Sequence, residues 1–203
     1  MDTEVYDSLD GQVALVTGTT RGIGEEIASQ LTDLGATVYA GARDTGDVSA
    51  PDQRPLELDV TDDGTMRAAV DHVADEAGRL DVLVNNAGAS GPEAPLHEND
   101  VAEIDGTLDV NLRGPVVLAK LALPLLLDRR GGRVVNVSSG MGALGEGMTG
   151  GCPPYRVSKA GLNGLTTYLH GEYADERLVA NAACPGCALL ARPVGDRLVN
   201  SLL

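Results

Sequence analysis

The sequence predicts a doubly wound α/β domain, a parallel sheet flanked by helices. Three observations lead there. Short, Val-rich apolar segments alternate with stretches of helical periodicity along most of the 203 residues, the pattern of parallel strands joined by crossover helices. A glycine cluster, Thr17-Gly18-Thr19-Thr20-Arg21-Gly22-Ile23-Gly24, stands between the first apolar segment and the first helical one. No linker, internal repeat or low-complexity block divides the chain, so a single domain over 1–203 is expected.

QVALVT (12–17) reads as the first buried strand, followed by a helix from Gly22 to Leu34. ATVYAG (36–41) and PLELDV (55–60) are the second and third strands. Between Asp63 and Ala77, Met66, Val70 and Val73 recur at helical spacing. LDVLVN (80–85) and GRVVNVS (132–138) are further strands, with helices expected over 99–109 and 112–129 between them. A helix over 154–174 and a strand RLVANAA (177–183) complete the alternation. Residues 1–10 are expected to be flexible, and 187–203 depart from the pattern.

Composition narrows the function. With aromatics at 2% and neither Phe nor Trp, the core must be built from Val, Leu, Ile and Ala. The formal net charge of -15 excludes a cationic footprint for nucleic acid. Dense carboxylates with only two lysines suit a salty cytoplasm, where the Debye length shrinks to about 3 Å at 1 M; plain solubility is the simpler account. No uninterrupted apolar run approaches about 18 residues, so no membrane span is expected. The acidic opening MDTEVYDSLDGQ lacks the layout of a signal peptide. Three cysteines fit a reducing compartment, and a cytoplasmic location follows. Cys184-Pro-Gly-Cys187 has no second such pair, and His72, His97 and His170 are not at ligand spacing, so no metal site is expected.

Chemistry concentrates in two places. Between a strand and a helix, glycines permit a tight turn and close approach of backbone to a pyrophosphate, which the helix N-terminus stabilises. Further on, Lys159 follows Tyr155 by four residues, placing both on one helix face. A neighbouring ammonium favours a tyrosinate, and arginine's rigid fork is a poor substitute for that compact charge. Tyr155 then suits proton donation to a carbonyl oxygen, or acceptance from an alcohol. The alternative is a surface tyrosine stacked on a lysine stem.

Thr-Gly-x-x-x-Gly-x-Gly, Asn85-Asn86-Ala87-Gly88, Asn111 in DVNLRG, Ser139 in VVNVSSG and Tyr155-x-x-x-Lys159 occur in that order. Together, up to Gly186, they resemble the short-chain dehydrogenase/reductase family. VVNVSSGMG and YRVSKAGLN look most like its carbonyl-reductase branch. Composition alone yields about 0.05 chance matches to Tyr-x-x-x-Lys, so the joint occurrence carries the weight.

The resemblance implies a Rossmann fold and an NAD(P)-dependent oxidoreductase that interconverts a carbonyl and an alcohol. It implies that Asn111, Ser139, Tyr155 and Lys159 are catalytic. Lys159 would also bond the nicotinamide ribose, Ser139 would hold the substrate oxygen, and Asn111 would anchor a relay water. Ser138 competes with Ser139, and Asn111 would alternatively cap or kink a helix. The cofactor would contact Gly18, Arg21, Gly22, Ile23 and Gly24, then Asp59 and Val60 at the adenine. Asn86, Ala87 and Gly88 would line the adenosine side, with Tyr155, Lys159, Pro185 and Gly186 completing the set.

At the end of the second strand, YAGAR offers no acid for an NAD ribose. Arg43 and Arg21 would instead meet a 2'-phosphate, so NADP is favoured, with Asp44 keeping NAD open. Family members continue through a lid and a last strand, which are expected to be missing here. Leu190 stands where the family has Thr, and Cys187-Ala188-Leu189 read one nucleotide earlier can encode Val-Arg-Thr, consistent with a frameshifted tail. A homodimer through the helices of Asn111 and Tyr155 is expected. Alternatives are dinucleotide binding without turnover, or an inactive product.

Overall fold

The structure, a computed structural model, describes residues 8–128 and 131–186. Expectations for residues 1–7 and for 187–203, including Leu190, lie outside the described residues. Leu9 is already packed, at 1% exposure, and its amide donates to Leu34 O at 2.6 Å.

Six strands form one parallel sheet: β1 (Val13–Thr17), β2 (Thr37–Ala42), β3 (Arg54–Glu57), β4 (Val82–Asn85), β5 (Arg133–Val137) and β6 (Val179–Ala183). Their order is β3-β2-β1-β4-β5-β6, with every neighbouring pair parallel. Strand order therefore reverses between β1 and β4, the switch point outside which open α/β sheets bind ligands.

The helices are α1 (Gly22–Asp33), α2 (Asp63–Ala77), α3 (Val101–Leu108), α4 (Gly114–Asp128) and α5 (Pro153–Glu172). Two apolar clusters fill the faces of the sheet. Ile27, Ala28 and Leu31 of α1 pack on Ala14, Val16, Val38 and Val84. On the other face, residues of α2, α4 and α5 pack on Leu15, Leu83 and Val134. Strands buried on both faces explain the continuous Val-rich runs.

Most expected boundaries move by a residue or two, and two differences bear on the site. Residues 58–60 leave the third strand, although Leu58 N still donates to Ala42 O at 2.8 Å. The helices expected over 99–109 and 112–129 are joined by a π-helical turn, Asp109–Arg113, so one helix runs from Val101 to Asp128. A Cβ on Gly114 would lie 2.6 Å from Val60 O, so the helix must press close to the segment after β3. Glycine at the end of the π turn leaves room for that approach, and Arg113 adds a two-pronged pair to Asp63 at 2.8 and 3.0 Å.

By length and composition this helix is apolar enough to cross a membrane, which a search for unbroken apolar runs overlooks because Arg113 and Lys120 interrupt it. Here Leu118, Ala119, Ala122 and Leu126 are buried in the core.

A chain of buried amides and hydroxyls fixes α5 over the sheet. Asn85 Nδ2 donates to Asn136 Oδ1 at 2.8 Å, and Asn136 Nδ2 to Thr166 Oγ1 at 2.8 Å. Ser138 Oγ adds a bond to Asn163 Oδ1 at 2.6 Å. Such connected polar groups align a helix more specifically than apolar packing does, although Asn85 Oδ1 stays without a partner.

Candidate active site

All parallel strands end at one edge of the sheet, and the predicted residues gather there. β1 runs into Gly18 and Gly22, with φ of +70° and +63°, the left-handed region where glycine is unstrained. A Cβ on Gly24 would collide with Gly18 O and Asn86 Nδ2. Arg21 precedes α1 without a side-chain cap, so the first amides of α1 keep their positive end open to an anion. That arrangement fits a cofactor pyrophosphate.

Asn86 does something the sequence did not reveal. Its Nδ2 donates to Thr17 O and Gly18 O at 2.9 and 3.0 Å. Thr17 Oγ1 in turn accepts the amides of Asn86 and Ala87, each at 3.0 Å. This latch ties the glycine loop to the loop after β4. Asn86, expected on the adenosine side, thus uses its amide to hold the cradle, with Ala87 and Gly88 following it. The available signal was a polar pair at the ends of adjacent strands.

At the β2 exit Arg43 is exposed, as is Arg21 beside the glycine loop. Among the described residues neither has an ion-pair partner. Asp44 turns its Oδ1 onto Gly46 N at 2.8 Å, closing a local turn. Asp59 Oδ1 accepts the amide and hydroxyl of Thr61 at 2.9 and 2.7 Å, and Val60 is buried.

Two prolines start α5, where a fixed φ and a missing N–H do no harm. Tyr155 in its first turn is half-exposed. Lys159 is only 4% exposed; its Nζ donates to Val137 O at 2.7 Å and stands 5.5 Å from the centroid of the Tyr155 ring. Burial pushes the Lys159 pKa down to about 8, because desolvation disfavours the ammonium.

Two residues beyond Val137, Ser139 is half-buried and its Oγ accepts Met141 N at 3.1 Å. Its own hydroxyl hydrogen has no acceptor among the described residues. Ser138 is committed to Asn163, and geometry thereby separates the two serines.

Asn111 sits in the π turn, fully buried. Its Nδ2 donates to Ala89 O at 2.8 Å and to Ser158 Oγ at 3.1 Å, while Oδ1 accepts Ala89 N at 2.7 Å. A Cβ at Gly88 would lie 3.5 Å from Asn111 Oδ1 and 3.9 Å from Lys159 Nζ, so these three residues converge. Asn111 is thus a residue of the π turn whose amide is largely engaged, keeping one Oδ1 lone pair. Ser158 was missed because no motif spacing announces a tertiary contact. At the β6 exit, Cys184 Sγ accepts Gly140 N at 3.1 Å, bringing the approach to Pro185 and Gly186 beside the Ser139 loop. No group of His, Cys, Asp and Glu able to hold a metal occurs among the described residues.

Residues 12–191 match the short chain dehydrogenase family, and the chain belongs to it. Cis-4-hydroxycyclohexanecarboxylate dehydrogenase of Sinomonas cyclohexanicum is 39% identical over 185 residues, covering 87% of this chain and 73% of that one. Aldohexose dehydrogenase of Thermoplasma acidophilum superposes with a TM-score of 0.82 at 32% identity, over 90% of this chain and 69% of the other. A metagenomic short-chain oxidoreductase, solved with NADP, gives 0.81 at 33% identity over 95% and 92%. The fold is the Rossmann type seen in these neighbours, and the chain is a short-chain oxidoreductase by family.

Proposed function

We propose that the protein interconverts a small carbonyl compound and its alcohol with NADP, using Tyr155 as acid and base. The observation that carries this reading is Lys159 Nζ held 5.5 Å from the Tyr155 ring and anchored on Val137 O. NADP, when bound, supplies or accepts the hydride. Tyr155 Oη gives a proton to the nascent alkoxide in reduction and takes one from the alcohol in oxidation. The Lys159 ammonium places a positive charge beside the ring that carries this hydroxyl. Ser139 Oγ, with its hydrogen free of acceptors among the described residues, bonds the substrate oxygen and stabilises charge gathering there.

NADP over NAD is supported by Arg43 and Arg21, both exposed and suited to a 2'-phosphate, and by Asp44 being engaged with Gly46. The oxidoreductase solved with NADP is in keeping with this. Gly18, Gly22, Ile23 and Gly24 would carry the pyrophosphate, Asp59 and Val60 the adenine, and Pro185 and Gly186 the nicotinamide side. The alcohol class agrees with the relative named for a hydroxycyclohexanecarboxylate. A salty cytoplasm fits the charge of -15. A homodimer fits the exposed Val116 of α4 with Val157 and Tyr168 of α5.

The deciding experiment follows NADPH oxidation over a panel of ketones and aldehydes, beside thermal melts with NADPH or NADH. A ligand that binds only the folded chain adds about 2.7 kcal/mol at one hundred times its Kd. The expected result is a larger melting shift with NADPH, turnover with at least one carbonyl, and Tyr155→Phe keeping the shift while losing about 10²–10⁴-fold in kcat. A shift without turnover would leave a dinucleotide-binding protein, and no shift with either cofactor would sink the reading.

A further inference from the structure

We propose that Ser158 is a positioning residue that holds Tyr155 through Asn111, an inference that rests on the oxidoreductase reading above. Ser158 is fully buried. Its Oγ donates to Tyr155 O at 2.7 Å and accepts from Asn111 Nδ2 at 3.1 Å. The remaining contacts of the Asn111 amide go to Ala89, at 2.8 Å through Nδ2 and 2.7 Å through Oδ1. The Ser158 hydroxyl thus joins the π turn to the first turn of α5, and the Asn111 amide carries the connection on to the loop after β4.

The connection is saturated on its donor side. Both N–H bonds of the Asn111 amide and the hydroxyl of Ser158 have acceptors. Lys159, the next residue, clamps the same stretch of α5 to β5 through Val137 O. Ser158 and Lys159 thus fix the start of α5 from two directions, and Tyr155 lies one turn before them. A tyrosine that must meet a substrate oxygen gains from this, because about 1 Å of misplacement can cost 10²-fold in rate.

Ser158→Ala retains the helix, since alanine is the best helix former. It strands one Asn111 N–H in a dry site, and the amide must turn or admit water. The test is a cycle of Ser158→Ala, Asn111→Ala and the double variant, read as kcat, KM and hydrogen exchange at the Ala89 amide. Ser158→Ala is expected to lower kcat about 10- to 100-fold with KM for carbonyl and NADPH unchanged. Added to Asn111→Ala, it is expected to cost nothing more, and in the parent it speeds Ala89 exchange.

An unchanged kcat, or an equal loss in the Asn111→Ala background, overturns the proposal. If the parent itself shows no turnover, the oxidoreductase reading fails separately, and Ala89 exchange alone decides the link: unchanged exchange in Ser158→Ala overturns it. Should Ser158→Ala lose its cooperative melt, Ser158→Cys keeps the shape, weakens the bond, and is read by the same criteria.

Discussion

Lys159 is a cation in a place that resists charge. Nearly enclosed, it has one anchoring acceptor, Val137 O, and no carboxylate partner among the described residues. Desolvation lowers its pKa to about 8, against about 10.4 for an exposed lysine. In this case the folded value lies below the unfolded one, so the unfolded chain binds the proton more tightly. The penalty is complete below pH 8 and fades as pH rises from about 8 to 10.5, where the unfolded lysine also loses its proton. Stability should rise across that window by up to about 3 kcal/mol from this group. Denaturant melts of the parent and Lys159→Met from pH 7 to 10.5 check it; parallel curves would show that Lys159 is not the burdened cation. The same titration removes the positive charge from beside the Tyr155 ring.

At the scale of elements, the glycine loop and the loop after β4 form one unit, latched by Thr17 and Asn86. Gly24 closes that unit, because any Cβ there would meet Gly18 O and Asn86 Nδ2. Gly24→Ala should cost about 1–3 kcal/mol by overpacking, roughly 2–4 °C in Tm per kcal/mol for a chain of this size, and weaken NADPH binding at least tenfold. Gly106→Ala, in α3 with open space around it, is the control and should be neutral or stabilising by up to about 1 kcal/mol. Equal melts for the two variants would remove the latch from the account of the cradle.

The glycine loop and Tyr155-x-x-x-Lys159 were legible because strand–turn–helix and helix-face spacing are local properties of the chain. The strand alternation was legible for the same reason, since burial on both faces leaves continuous Val runs. The π turn at Asp109–Arg113 was not legible, because helical spacing reads the same on either side of it and its neighbour Gly114 meets Val60 from some fifty residues away in sequence. Ser158 and the amide of Asn86 were hidden for the same cause: both act across elements, where spacing carries no information.

The molecule as a whole carries a formal net charge of -15 on 203 residues, with 30 acids against 15 Lys and Arg. Self-repulsion of that size opposes compaction. Exposed apolar side chains, Val116 on α4 and Val157 and Tyr168 on α5, would gather on a dimer face only if two acidic subunits tolerate each other. Salt addresses both problems, since at 1 M the Debye length is about 3 Å, shorter than most separations between surface charges. Potassium chloride is also mildly favourable to burial of apolar area, but that effect acts on any protein, whereas screening scales with net charge. Melting temperature should therefore climb steeply between about 0.05 and 1 M KCl, where screening changes most, and flatten above it. Sedimentation over the same range should pass from monomer to dimer. A variant with several exposed acids replaced by neutral amides, Asp→Asn and Glu→Gln away from the site, should melt higher at low salt and lose most of the KCl dependence. If the neutralised variant keeps the full salt response, charge repulsion is not what the salt relieves, and the acidic surface answers only to solubility.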